Sequence, residues 1–197
     1  MSEISIRLLL TFAEMSHKMN KQQTIFGIAL VVLAASLKVI TFPFSINPII
    51  AISLFSGTLV KDRKLAFLLP LAAMFISDVM LEFSGIAEGF YGWGQIGNYV
   101  ALLAVAALGF GIKKPNLYNV PAFSIASSLL FFTLSNTSVF LFDSQLTYGS
   151  GITGWASCLA AGLPFVKNGL AIDLGFSVVI FGTYALMTRT SIKGVKA

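Results

Sequence analysis

Beyond residue 23 the chain is a series of long apolar runs separated by short polar breaks, and alternate breaks carry positive charge. Residues 24–40 are apolar except for Lys38 near the far end, and 41–46 form a short Pro-containing connection. Asn47-Pro48 then reads as an N-cap followed by a proline at the first helical position, opening a second apolar helix that runs to Val60. At about 13 residues and 1.5 Å per residue it is roughly 20 Å long, short for a hydrocarbon core of about 30 Å. A third run covers 65–81, with Pro70 inside it and Asp78 near its end. A Gly- and aromatic-rich stretch follows at 82–95, and a fourth run at 96–112. After the turn between Pro115 and Pro121, the fifth run reaches Phe142 with Asn136 in its last third. Residues 143–151 are polar, and 152–163 are weakly apolar and too short to span. Pro164 is expected to open the last helix, which carries Lys167, Asn168 and Asp173 and ends at Arg189.

Charge turns this pattern into a topology. Eleven of the 13 Lys and Arg residues fall into four clusters: Arg7/Lys18/Lys21, Lys61/Arg63/Lys64, Lys113/Lys114 and Arg189/Lys193/Lys196. Basic residues flanking membrane helices stay on the cytoplasmic side. An even number of spans must therefore separate each cluster from the next, and two apolar runs lie in each interval. The expected fold is an all-α integral membrane protein, a six-transmembrane-helix bundle with both termini cytoplasmic. Residues 1–23 form a cytoplasmic tail, 24–188 the membrane domain and 189–197 a basic cytoplasmic tail. The start of the chain does not read as a signal peptide. Its apolar stretch is short and contains Arg7, and Glu14, His17 and Lys18 follow where a cleavage site would stand. Met19-Asn20-Lys21 ahead of the first run is an alternative natural start.

Composition agrees. The chain is 56% hydrophobic and 11% charged, against about 25% charged residues in soluble domains. The net charge of +5 is then a topology signal and not a nucleic-acid footprint. A single cysteine, Cys158, excludes an internal disulfide and any Cys-rich metal or iron–sulfur site, and the one histidine, His17, lies in the tail. No cofactor is expected.

In this topology the polar residues are one-sided. Lys38, Asn47, Asp78, Glu82, Asn136, Lys167 and Asn168 all fall toward the outer face, and Asp173 lies roughly 13 Å into the last helix by helix rise. A charge at the centre of a bilayer costs about 2.5–3.5 kcal/mol even on insertion scales, so such residues face a partner or a water-filled cavity. A polar outer half above an apolar inner half describes capture of a solute from outside, whereas a channel needs polar lining throughout.

Each residue also has a structural reading. Asp78 and Glu82 share a helix face at i and i+4, yet Glu82 also suits a solvated loop. Asn47 suits a cap, Lys38 and Lys167 suit headgroups, and Asn136 suits interhelical hydrogen bonding. Asp173 is the hardest to explain structurally, with Lys38 or Lys167 as its expected partner. Asn168 lies about 140° around the helix from Asp173, so the two are not expected to point at one small ligand, while Gly169 would clear space above Asp173. Tyr91 and Trp93 suit an aromatic belt or a lid. Cys158 beside Trp155 reads as a small packing residue.

Enzymatic readings lack their residues. No membrane histidine is present for a metalloprotease or a Ser–His pair, and no Cys-x-x-Cys for quinone chemistry. Asp78 and Asp173 lack the following glycine of intramembrane aspartyl proteases.

Several stretches carry a resemblance. These are Asn47-Pro48-Ile49-Ile50-Ala51 leading to Leu54-Phe55-Ser56-Gly57, then Ala66-Phe67-Leu68-Leu69-Pro70-Leu71 with Ser77-Asp78, then Ser135-Asn136, and Leu163-Pro164-Phe165 with Asn168, Gly169 and Asp173-Leu174. Over about residues 25–187 the chain resembles a bacterial family of unknown function described as transport proteins. That family is more distantly similar to the substrate-binding S components of energy-coupling-factor vitamin transporters. The resemblance implies a six-helix protein of the bacterial inner membrane that binds a small vitamin-like solute near its outer face. It also implies a coupling subunit and ATPases as partners, since no Gly-x-x-x-x-Gly-Lys phosphate loop occurs here. S components often carry an Ala-x-x-x-Ala docking motif on the first helix. Ala29, Ala34 and Ala35 do not keep that spacing, which leaves action alone or with another partner open. The expected function is a solute-binding importer subunit without enzymatic activity. The alternative is a structural or assembly subunit of a membrane complex, with no ligand.

Overall fold

The computed structural model describes residues 21–42, 44, 46–90, 92–142 and 145–194, with the side chains of 21–23, 145–146 and 189–194 outside the description. The tail residues His17 and Met19, the lid candidate Tyr91 and the basic residues Arg7, Lys18 and Lys196 lie outside the described residues.

The described residues are all-helical. The elements are α1 (Lys21–Ile40), α2 (Ile49–Leu59), α3 (Arg63–Ser84), α4 (Trp93–Gly109), α5 (Asn119–Phe142), the single turn α6 (Gln145–Tyr148) and α7 (Gly151–Gly194). Three stretches, Arg63–Ser84, Asn119–Phe142 and Gly151–Thr188, are long and apolar enough to cross a membrane. Thr24–Ile40, Ile49–Leu59 and Trp93–Gly109 are shorter apolar helices.

Local chemistry sets the helix ends. Asp62 caps α3, its carboxylate accepting the Lys64 and Leu65 N–H groups at 2.9 and 3.3 Å, and Gly85 ends the same helix in the left-handed conformation (φ 67°). Asn47-Pro48 opens α2 one place later than expected. Pro48 is itself the N-cap, and the Asn47 side chain behind it accepts the Ile49 N–H at 3.3 Å.

The last helix departs from expectation. Pro164 does not open it but sits inside a helix of 44 residues that starts at Gly151. Proline is compatible with a first helical turn or a tolerated interior break, and only the neighbours decide. Here residues 152–163 find partners on α5. Trp155 Nε1 donates to Thr137 Oγ1 at 2.9 Å, and the buried Cys158 Sγ lies 3.5 Å from the Asn136 carbonyl. Gly162 lets the helices approach, because a Cβ there would stand 2.7 Å from Phe132.

α2 lies at the centre. Every residue from Ala51 to Gly57 is buried, so its short length is surrounded by protein. Its neighbours come close enough for side-chain hydroxyls to reach their backbones. Ser53 Oγ donates to the Leu102 carbonyl at 2.5 Å, Ser56 Oγ to Ala66 at 2.7 Å and Thr58 Oγ1 to Gly109 at 3.2 Å. A Cβ on Gly57 would fall 1.9 Å from the Ala106 carbonyl oxygen, so α2 and α4 touch backbone to backbone.

The two ends of the bundle differ. At one end the α2–α3 and α4–α5 connections adjoin, with Phe67 and Phe110 5.4 Å apart and the Arg63 guanidinium 5.5 Å from the Phe110 ring. The basic groups Lys61/Arg63/Lys64 and Lys113/Lys114 therefore share this end. Just within it lies an aromatic cluster in which Phe55 meets Phe26, Phe181 and Tyr184 at 5.3–5.4 Å between ring centres. The C-terminal part of α1, the N-termini of α2 and α4 and the end of α3 form the opposite end.

Gly57→Ala is expected to destabilise the bundle by about 1–3 kcal/mol through forced separation of α2 and α4. Gly182→Ala, where a Cβ meets nothing within 4 Å, should leave stability unchanged. Thermal midpoints of the two variants in detergent check this; equal midpoints would refute the backbone contact.

Candidate functional site

Two buried aspartates, Asp78 and Asp173, stand in opposite circumstances. Asp78, on α3, is fully buried. One carboxylate oxygen takes the Lys38 ammonium from α1. The other accepts from Gln95 Nε2 and from the Tyr99 hydroxyl, both on α4 and both at 2.7 Å. Gln95 Nε2 also donates to the Gly89 carbonyl at 3.0 Å. Gly89 is pressed against α3, a Cβ there falling 2.0 Å from the Asp78 carbonyl oxygen. Its N–H donates to Glu82 Oε2 at 2.8 Å. Asp78 therefore joins three helices and a loop, and its acceptor positions are engaged from within the protein.

Asp173, on α7, is 5% exposed. Ser128 of α5 donates to its Oδ2 at 2.7 Å, and Ser124 and Ser177 pair at 3.0 Å along the same helix contact. The expected partners do not reach Asp173: Lys38 is taken by Asp78, and Lys167 is exposed. Sequence spacing could not choose between the two carboxylates for Lys38, because that depends on which helix packs beside α1. Here α1 lies against α3.

Asp173 lines a cavity of about 540 Å³ bounded by α1, α2, α3, α4, α5 and α7. This volume lies within the range of about 300–1,000 Å³ typical of small-molecule sites. Of the expected site residues, Lys38, Asn47, Asn168 and Asp173 line it, joined by Gly169. Asn168 and Asp173 both border this cavity despite their angular separation. The space is wide enough for residues about 140° apart to border it. A Cβ on Gly169 would meet nothing within 4 Å, in keeping with the room expected there.

The other expected residues stand elsewhere. Asp78 lies behind Lys38, and Glu82 holds the 82–95 loop through Gly89. Trp93 is 72% exposed at the start of α4 and does not line the cavity. Asn136 turns its amide to the Phe132 carbonyl at 2.8 Å and packs against Gly162. Lys167 is exposed and does not line the cavity.

The remaining wall includes Asn98, Ser128, Ser135 and the rings of Phe44, Phe131, Phe132 and Phe165. A signal for part of it was present in the sequence. Ser124, Ser128, Phe131 and Ser135 recur at intervals of four, three and four, one face of a helix. Among the described residues, no group of three His, Cys, Asp or Glu is placed to hold a metal ion.

A family model described as a family of unknown function, DUF6580, matches residues 18–194, and the chain belongs to that family. No curated protein and no solved structure matches it.

The two aspartates should respond oppositely to neutralisation. Asp78→Ala leaves Lys38 without its counter-ion and is expected to cost about 3–5 kcal/mol. Asp173→Asn removes a buried charge that no described cation balances, and should leave the thermal midpoint of the ligand-free protein unchanged or raise it. Unfolding of both variants in the same detergent checks this, and a large loss in Asp173→Asn would make it a structural group like Asp78.

Proposed function

We propose that this member of the DUF6580 family is a membrane-embedded solute-binding subunit of an importer. It captures a small vitamin-like solute in the cavity beside Asp173 and performs no chemistry on it. The observation that carries this reading is the cavity itself: a space of about 540 Å³ lined by amide, hydroxyl and carboxylate groups as well as phenylalanine rings, at the end of the bundle away from the basic connections.

In this reading all six principal helices cross the inner membrane of a bacterium, both termini are cytoplasmic, and the cavity opens outward. The placement of Lys61/Arg63/Lys64 beside Lys113/Lys114 supports it, because positive-inside orientation requires these groups to share a side. The short α2 fits the same arrangement. Its burial in protein removes the need to match the bilayer thickness alone, since non-lipid-facing segments satisfy their backbone within the bundle. The aromatic cluster of Phe26, Phe55, Phe181 and Tyr184 closes the cytoplasmic half. The similarity to S components of energy-coupling-factor transporters belongs to this proposal as well, with any ATP-driven step supplied by a coupling subunit and ATPases.

Native mass spectrometry of the protein purified in mild detergent from its own host tests the reading. A stoichiometric small-molecule adduct is expected, and Gly169→Leu, whose side chain projects into the cavity, should abolish it without loss of folding. Protein subunits co-purifying with no adduct in either form would instead make the chain a structural subunit of a membrane complex.

A further inference from the structure

We propose that the solute is an organic cation, an aromatic or otherwise apolar molecule with one protonated or quaternary nitrogen, whose charge is met by Asp173. The inference rests on the solute-binding reading and adds the chemical class of the ligand.

The charges around the cavity carry it. Among the described residues two ionisable side chains line the wall, Lys38 and Asp173. The Lys38 ammonium is held by Asp78, whose other oxygen is engaged by Gln95 and Tyr99, so this pair contributes no net charge. Among the described residues Asp173 has no such counterpart: Ser128 is its one partner, through Oδ2, and no cation reaches it. The wall thus carries one cation balanced from behind by Asp78 and one carboxylate that no described cation balances. A carboxylate in an apolar environment is stabilised by a cation that is desolvated beside it, and an anionic guest would be repelled there.

The rest of the wall separates an organic cation from an inorganic one. Phe44, Phe131, Phe132 and Phe165 line the same space. Aromatic rings attract cations through their quadrupoles, and this is the usual setting for quaternary nitrogen. A small inorganic ion seeks a compact shell of oxygen ligands. The volume far exceeds one such ion, whereas it suits a molecule with an apolar body. Asn47, Asn98, Asn168, Ser128 and Ser135 supply hydrogen-bonding groups around that body.

The test uses three probes of similar shape and different charge: 2-phenylethylammonium, 2-phenylethanol and phenylacetate. Binding of each to the full chain in lipid nanodiscs is measured by calorimetry in sodium and in potassium buffers, alongside the native mass spectrum of protein from its host. The ammonium probe should bind at least about tenfold more tightly than the alcohol, and phenylacetate should not bind. Asp173→Asn should weaken the ammonium probe by roughly 10- to 100-fold, the range for hydrogen bonds to a charged group, and bring it level with the alcohol. Asp173→Glu should keep the preference, and Gly169→Leu should remove all binding.

Equal binding of alcohol and ammonium, or a preference for phenylacetate, would overturn the cation assignment while leaving a solute-binding cavity in place. Stabilisation by sodium over potassium that Asp173→Asn removes, without a response to the ammonium probe, would assign the carboxylate to an inorganic ion and overturn the inference equally. No binding of any probe, together with no adduct from the host, would remove the solute-binding reading and the inference with it.

Discussion

The arrangement of this bundle depends on the compensation of one buried carboxylate. Asp78 is fully enclosed, and an isolated charge there would be prohibitive. It is tolerated because Lys38, Gln95 and Tyr99 converge on it from α1 and α4. That convergence fixes the end of α3 between two neighbours and aligns the start of α4. Through Gln95 and Gly89 it also ties down the loop between α3 and α4. Lys38 is thereby held at the wall of the cavity with its charge already balanced. The polar network is therefore both a clamp on the fold and the reason the cavity has the electrostatic character it does.

Beneath this clamp, packing is governed by small residues. α2 is surrounded because Gly57 lets α4 approach its backbone directly. In an apolar surrounding the hydrophobic effect gives little to helix association, so close van der Waals contact and short hydroxyl-to-carbonyl bonds carry the load. Ser53, Ser56 and Thr58 each spend their hydroxyl on a backbone carbonyl of an adjacent helix. The same small-residue logic on α7, at Gly162, lets residues 152–163 lie on α5.

How much of this could be read from the chain follows from the range of each interaction. The apolar runs are local properties, and all but the last appear as helices with ends close to those expected; Asn47-Pro48 and the basic breaks were equally legible. The burial of Asp173 and the space at Gly169 were also visible, since each follows from position along one helix. What depended on pairing was not. Asp173 was expected to pair with Lys38 or Lys167, and helix adjacency gave Lys38 to Asp78 instead. Glu82 and Asn136 were placed on the correct stretches, but their side chains turn to Gly89 and the Phe132 carbonyl and not to the cavity. Pro164 misled because its local chemistry is the same at a helix start and within a helix whose flanking turns are held by a neighbour. The serines of α5 passed unnoticed because serine is inconspicuous in an apolar run, although their spacing marks one face.

The contrast between the two aspartates bears on why Asp173 exists in this fold. Evolution of a stable bundle has a ready solution for an acid in an apolar setting, and Asp78 displays it in full: a cation, an amide and a phenol arranged around one carboxylate. Asp173 receives one hydroxyl. A group with no function beyond packing would be as well served by leucine, or by an asparagine sharing hydrogen bonds with Ser128, without the cost of a charge. Its incomplete compensation by the described residues, its near-complete burial and its position on the wall of a cavity with ample room are one fact seen three ways. In the solute-binding reading proposed above, the remaining compensation is supplied by the bound guest.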